Sequence, residues 1–243
     1  MSEFQFKEYD KEGMETLEAI SQATNFNRWM FETIQPFCKG KIFEIGSGIG
    51  NISSQFIENG FKITVSDIRD VYCSYLTDHY AQKVEDVVNM DIVDPAFDEK
   101  HKELFGNFDT VFALNIVEHV EDDSLAIANA KKLLKEGGNL IILVPAYASL
   151  YNRFDRELEH YRRYTLKTLA EIFEANDLEI IHRQYFNFAA IAGWWFSGSV
   201  LKKKTIPNGQ MKLYDKLVPV FKLIDKIILN KAGISAISVG RKS

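Results

Sequence analysis

Glu44-Ile45-Gly46-Ser47-Gly48-Ile49-Gly50 is the stretch of this chain best suited to binding a ligand. Glycines allow a tight turn and let a ligand approach the backbone closely. A helix following such a turn offers free N–H groups, so phosphate is one reading. The spacing argues against a dinucleotide, because the GxGxxG pattern needs a glycine where Asn51 stands. A Walker loop would need Gly-Lys followed by Ser or Thr, and the sequence has none. Glu44 narrows the choice: a carboxylate just before the glycines repels a pyrophosphate and suits a ligand carrying a cationic ammonium. Asp67 and Asp91 close the next two apolar runs. At the end of a second strand, Asp67 can accept hydrogen bonds from two ribose hydroxyls. Asp91 is placed to meet an adenine amino group. The plain alternative is a strand–turn–helix connection that binds nothing, and Glu44 and Asp67 at these offsets count against it.

A second group of reactive side chains lies downstream. In Asn115-Ile116-Val117-Glu118-His119, His119 is a candidate general base for a hydroxyl. The competing reading is a histidine that braces its loop by hydrogen bonding, and both stay open. After Pro145 comes an aromatic and basic loop with Tyr147, Tyr151, Asp155, Arg156, His160, Tyr161, Arg162, Arg163 and Tyr164. Loops of this length are seldom mere linkage. His160 is a second candidate base. Arg162 and Arg163 can hold an anionic substrate bidentately, with Tyr147 and Tyr151 as further substrate contacts. Alternatively, the arginines pair with Asp155, Glu157 and Glu159. Trp194, beside Trp195 and Phe196, suits either lid packing or substrate stacking.

Strands and helices must position these groups. The apolar runs Lys41–Ile45, Lys62–Ser66, Val84–Val88, Thr110–Leu114, Asn139–Val144, Glu179–Gln184 and Ile234–Val239 read as strands. They are continuous rather than alternating, as expected of strands buried on both faces. Ser53–Asn59, Ser124–Lys135 and Thr165–Asn176 carry helical periodicity, with Gly137-Gly138 as a stop and Thr165 as a cap. This alternation implies a doubly wound α/β fold with a mainly parallel sheet. Two stretches fall outside it and read as appendages over the mouth of the sheet. One is the aromatic-rich helical stretch Gly13–Phe37. The other is Tyr185–Lys231, with the Lys202–Lys204 run and a pair of amphipathic helices around Pro219.

These motifs together resemble the class I S-adenosylmethionine-dependent methyltransferases. Glu44–Gly50 resembles the first motif of that family, and Asp67 its second-strand acid. Phe108-Asp109-Thr110-Val111 with Leu114–His119 resembles its fourth-strand motif. Leu134-Lys135-Glu136-Gly137-Gly138 resembles its turn into the fifth strand. A narrower bacterial group is similar also in Asn27-Arg28-Trp29, His160-Tyr161-Arg162-Arg163-Tyr164-Thr165, Tyr185-Phe186-Asn187 and Gly193-Trp194-Trp195. The resemblance implies a Rossmann-like, seven-stranded sheet with an antiparallel last strand. It also implies S-adenosylmethionine as donor and S-adenosylhomocysteine as product. The candidate donor contacts are then Glu44, Gly46, Ser47, Gly48, Gly50, Asp67, Ile68, Asp91, Ile92 and Asn115. Some members carry Glu-x-x-Glu-His after the fourth strand and bind a divalent ion. Asn115 removes the first of those carboxylates, so no metal is expected. One domain, 1–243, is expected, divided into a cap (1–38), a core (39–184), a helical insertion or lid (185–233) and a last strand (234–243).

Bulk properties agree. Of 243 residues, 46% are hydrophobic and 26% charged, which suits a soluble globular domain. A net charge of −5 gives no overall pull toward nucleic acid, and no Asn-Pro-Pro-Tyr or Asp-Pro-Pro-Tyr motif is present. From Val200 onward, however, ten Lys or Arg face two acids. Helices like 211–229 mostly pack on their own domain, yet this basic balance is compatible with a peripheral membrane contact and a lipid-linked or glycan acceptor. Two cysteines without a CxxC pair, no signal-like start and no membrane-length apolar run point to the cytoplasm. Oxygen is the preferred acceptor atom, because histidines are at hand as bases. A nicotinamide-dependent oxidoreductase and a non-catalytic donor-binding module are the rivals. Oligomeric state is not legible.

Overall fold

The computed structural model describes residues 11–196 and 208–243. The Lys202–Lys204 run and Met1–Asp10 lie outside the described residues. All seven expected runs are strands: β1 (Ile42–Ile45), β2 (Ile63–Asp67), β3 (Asp86–Asn89), β4 (Phe108–Leu114), β5 (Leu134–Pro145), β6 (Leu178–Phe186) and β7 (Ser235–Lys242). They form a single sheet of order β3-β2-β1-β4-β5-β7-β6. Strand β7 runs antiparallel between β5 and β6, and the other neighbouring pairs are parallel. Chain order reverses between β1 and β4, and a doubly wound sheet opens its crevice at such a point.

The connecting helices are α1 (Lys11–Ser21), α2 (Thr24–Ile34), α3 (Ser53–Glu58), α4 (Asp70–Tyr80), α5 (Phe97–Lys100), α6 (Asp123–Leu133), α7 (Arg153–Glu157), α8 (Leu166–Ala175), α9 (Ala190–Trp195) and α10 (Asn208–Ile227). Alternate residues of the central strands feed two cores, as the pleat requires. Phe43, Val111, Leu140 and Ile142 pack with Ile127, Leu133, Leu169 and Phe173 from α6 and α8. Ile42, Phe112, Ile141 and Leu143 pack on the other face with Trp29, Ile34, Phe56 and Val218 from α2, α3 and α10. Asp109 fastens the far edge, away from the crevice. Its carboxylate accepts the Lys41 N–H at 2.9 Å and pairs with Lys135 at 2.8 Å.

Three elements differ from expectation. Helix α6 ends at Leu133, and Gly137-Gly138, expected to stop it, lie inside β5. The pair of helices around Pro219 is one continuous helix, α10, with Pro219 inside it. Proline has no N–H to donate to the carbonyl four residues back. The freed Asp215 oxygen instead accepts the Asn25 side-chain amide at 3.3 Å, and the Asp215 carboxylate accepts the Phe26 N–H at 2.9 Å. Contacts from α2 thus substitute for the missing rung. Helix α4 was not legible, because its Val71, Tyr72, Tyr75 and Thr77 have modest helix propensity and give little amphipathic signal.

Candidate active site

A cleft of about 1700 Å³ opens at the carboxyl ends of β1, β2, β4 and β5. Glu44, Gly46, Ser47, Gly48, Asp67, Ile68, Asp91, Ile92 and Asn115 line it, as do His119, His160, Arg163 and Trp194. Leu17 and Ile20 of α1, and Trp194 and Phe196 at α9, also line it.

The first end is built by the β1–α3 turn. Gly46 has φ +73°, and an added Cβ would lie 2.1 Å from Ile116 Cδ1. Only glycine leaves room there between the turn and the loop after β4. Gly50 is not among the cleft-lining residues. Its φ of +83° completes the turn against the Tyr80 ring. Asp67 reaches back to this turn, accepting the Gly48 N–H at 2.9 Å and the Arg69 N–H at 3.0 Å. A carboxylate has about four lone-pair sites, so accepting capacity remains for a ligand hydroxyl. Burial raises the Asp67 pKa despite these bonds. Glu44 is buried, 4% exposed, and accepts the Ser53 hydroxyl. Burial pushes its carboxyl up to about 7, against the lowering pull of Ser53 and Ser47. A buried carboxylate with no cationic partner is costly, and a ligand ammonium would relieve that cost. Asp91 turns its own loop, accepting the Val93 N–H at 3.0 Å. An acidic, glycine-walled pocket of this form fits an adenosyl amino acid with a positive head.

The second end gathers distant loops. His160 Nδ1 lies 2.9 Å from Asp155 Oδ1, and both residues are buried. The Arg163 guanidinium donates to the same Asp155 oxygen at 2.7 Å and to the Ala146 carbonyl at 3.0 Å. It also stacks over the Trp194 ring, 4.8 Å from its centroid. Burial alone would raise the Asp155 pKa, but His160, Arg163 and the Asn152 N–H outweigh it, and the pKa is lowered. His119 meets His160 edge to face at 4.6 Å between ring centroids. Burial, then His160 and Arg69, drives the His119 pKa down to about 3, so this ring is neutral near pH 7. Glu118, which the sequence marks only as part of its loop motif, is fully buried, neither carboxylate oxygen has a hydrogen-bond partner, and burial pushes its pKa up to about 8. Glu118, His119 and His160 offer donor atoms all within 4.8 Å of one another.

Three candidate substrate residues lie elsewhere. Tyr147 stacks on Tyr185 at 4.9 Å. The Tyr151 hydroxyl donates to the His160 carbonyl at 2.7 Å and so braces the loop. Arg162 pairs with Asp123 at 2.9 Å and donates to the Glu121 carbonyl. Of the acids expected to pair with these two arginines, only Asp155 does so, with Arg163 and in a buried contact; Arg162 pairs instead with Asp123.

Comparisons with known proteins agree with this geometry. A family described as a methyltransferase domain matches residues 27–183. The ubiquinone biosynthesis O-methyltransferase of Pseudomonas aeruginosa is 28% identical over 102 residues, covering 42% of this chain and 43% of that protein. The chain therefore aligns with less than half the length of that curated relative. Among solved structures, a SAM-dependent methyltransferase from Archaeoglobus fulgidus superposes with a TM-score of 0.58 at 17% identity, over 89% of this chain and 94% of that one. Phosphoethanolamine N-methyltransferase 2 of Haemonchus contortus, in complex with S-adenosyl-L-methionine, gives 0.61 at 18% identity, over 98% of this chain and 58% of that one. The nicotinamide alternative gives way to this match. With the seven-stranded sheet, the acid-led glycine turn and the family match over most of its core, the chain belongs to the class I S-adenosylmethionine-dependent methyltransferases.

Proposed function

We propose that this enzyme methylates a hydroxyl oxygen on a small or lipid-linked acceptor, and that His160 removes the hydroxyl proton. S-adenosylmethionine, when bound, supplies an electrophilic methyl group that needs little further activation. The chain must then bind, align and deprotonate the acceptor. Glu44 and Asp67 are read as the groups that hold the donor's amino-acid and ribose parts. Ser47, Gly48, Ile68, Asp91, Ile92 and Asn115 are assigned to the same pocket.

The observation that carries the reading is the His160–Asp155 contact at 2.9 Å. A buried carboxylate that accepts Nδ1–H leaves Nε2 as the accepting nitrogen and stabilises the imidazolium that forms. Arg163 keeps Asp155 ionised and in place. His119, neutral and held down to about pKa 3, is the poorer base and serves as a wall of the acceptor site. Trp194 Nε1 is buried without a hydrogen-bond partner, so an acceptor oxygen beside it would be held there. The name of the Pseudomonas relative, an O-methyltransferase, supports oxygen as the acceptor atom. His160→Ala should lower kcat by roughly 10²–10⁴-fold while calorimetric affinity for S-adenosylhomocysteine is kept. Unchanged turnover removes His160 from the chemistry.

One observation favours a second reading. Glu118, His119 and His160 form a two-histidine, one-carboxylate set within 4.8 Å, a donor combination that suits a divalent transition metal. His160 would then be a ligand, oriented by Asp155, rather than a base. Activity that EDTA abolishes and Mn²⁺ restores selects this reading. Chelator-insensitive activity selects the first.

A further inference from the structure

Helix α10 presents its apolar side chains to two opposite directions. Met211 and Val218 turn inward and are buried. Leu213, Leu217, Val220, Leu223 and Ile227, at helical spacing, turn outward and are 62%, 41%, 53%, 57% and 70% exposed. A helix that only packs on its own domain keeps its outer face polar. A row of exposed aliphatics on one helix needs a partner.

The charges on α10 say which partner. Both acids of the helix are buried and spent on the protein itself. Asp215 accepts the Phe26 N–H at 2.9 Å and the Asn25 amide at 3.1 Å, and Asp225 accepts the Phe188 N–H at 2.9 Å. Lys212, Lys216 and Lys226 are exposed, and Lys222 answers Glu32 of α2. The outward charges of α10 are therefore all positive and lie beside the aliphatic row. Helices α9 and α10 also form part of the cleft wall: Trp194, Phe196, Met211 and Tyr214 line it. Trp195 and Phe196 are each 52% exposed.

From this arrangement we infer that α10 and the end of α9 dock on an anionic lipid bilayer, with the aliphatic row among the acyl chains and the lysines at the headgroups. No helix among the described residues is long and apolar enough to cross a membrane, so the contact is in the plane of the surface. A second copy of the chain fits this face less well, because two-fold pairing would set lysine against lysine, and among the described residues of α10 no exposed acid neutralises them. Docked this way, the enzyme holds its cleft wall against the bilayer and draws an acceptor from the lipid phase. That substrate class rests on the methyl-transfer reading; the docking itself does not.

Co-sedimentation of the full chain tests it, with vesicles of phosphatidylcholine alone and of phosphatidylcholine mixed with phosphatidylglycerol. The wild type should partition to the anionic vesicles and far less to the neutral ones. Lys212→Gln/Lys216→Gln/Lys226→Gln should weaken binding by roughly 100-fold at low salt, since each basic residue near such a surface contributes about fivefold. Leu217→Glu/Val220→Glu should also lose the vesicles. Both variants change exposed positions and should keep wild-type calorimetric affinity for S-adenosylhomocysteine, which reports an intact fold. Wild type left in the supernatant with anionic vesicles overturns the inference. So does vesicle binding that neither variant weakens, or a dimer by light scattering that Leu217→Glu/Val220→Glu splits. Failure to bind S-adenosylhomocysteine with vesicle binding intact would instead count against the methyl-transfer reading alone.

Discussion

The two ends of the cleft are assembled from contacts of different reach. At the β1–β2 end, polar groups meet within one strand–helix–strand unit. Gly48 donates to Asp67, the Ser66 hydroxyl to the Glu44 carbonyl, and the Ser47 N–H to the Ser66 carbonyl. At the β4–β5 end, the partners come from separate loops. The Tyr161 N–H donates to the Glu118 carbonyl, Arg162 reaches Asp123, and Arg163 reaches Ala146 and stacks on Trp194. A site of the first kind travels as a motif. A site of the second kind exists only once the loops have packed, so its residues change role with small changes in loop path.

The sharpest way to break this contrast is at Glu44. Glu44→Ala should lower donor affinity by at least 100-fold, on the order of 3 kcal/mol or more for a buried charge that loses its partner, read by calorimetry with S-adenosylhomocysteine. Turnover with saturating donor would be the smaller casualty. Wild-type affinity in this variant would mean that the donor lies elsewhere.

At the other end the split should reverse. Asp155→Asn keeps the shape but removes the charge that orients His160. It should lower kcat by about 10–100-fold with donor affinity unchanged. The loss should fall on kcat rather than on the KM for the donor, because the imidazole loses the carboxylate that orients it. A purely structural Asp155 would lower stability and leave kcat of the folded enzyme unchanged.

A third experiment separates the buried groups by proton linkage. Glu118 rises from the ordinary 4.5 to about 8 on folding. The folded state therefore binds the extra proton between these values, and stability falls as pH rises through that window. His119 works oppositely: its pKa falls from 6.5 to about 3, so its contribution is lost only as pH drops below 6.5. Glu44, raised to about 7, titrates below that value, so between pH 7 and 8 the Glu118 effect stands clear of both Glu44 and His119. Wild-type melting temperature should decline across that interval. Glu118→Gln should remove most of the decline and stabilise the protein at pH 8, on the order of a few kcal/mol. A slope that persists in the variant would place the titrating group elsewhere.

The smallest expected effect distinguishes the two neighbouring arginines. Arg162, partly exposed and paired with Asp123, should cost only about 0.5 kcal/mol when replaced by alanine, with donor affinity unaltered. Arg163→Ala uncovers the buried Asp155 and should cost several times more. Equal melting shifts for the two variants would erase the difference between them.

What could be read from the chain followed its local chemistry. The seven strands, the Thr165 cap and the glycine turn depend on neighbours in sequence: apolar runs, a side chain that accepts the N–H three residues on, glycines at positive φ. Glu44 and Asp67 were recognisable because strand ends of a doubly wound sheet converge at the switch point, whatever the loops do. Helix α4 was missed because its residues are weak helix formers held by tertiary packing. The pair of helices expected at Pro219 fused into one because Asn25, distant in sequence, accommodates the carbonyl that proline leaves free.

Acidic, glycine-led recognition of the donor was thus written in residue types and spacing, which constrain backbone and charge over a single strand–helix–strand unit. The acceptor end was decided in three dimensions. Nothing in the spacing of Glu118, Asp155 and His160 says that Glu118 is buried without a partner or that Asp155 belongs to His160 as well as Arg163. Nor does it say that Arg162 turns away while Arg163 turns in. Burial and pairing across loops are properties of the packed interior, where the low dielectric makes each contact count and no local rule anticipates which groups will meet.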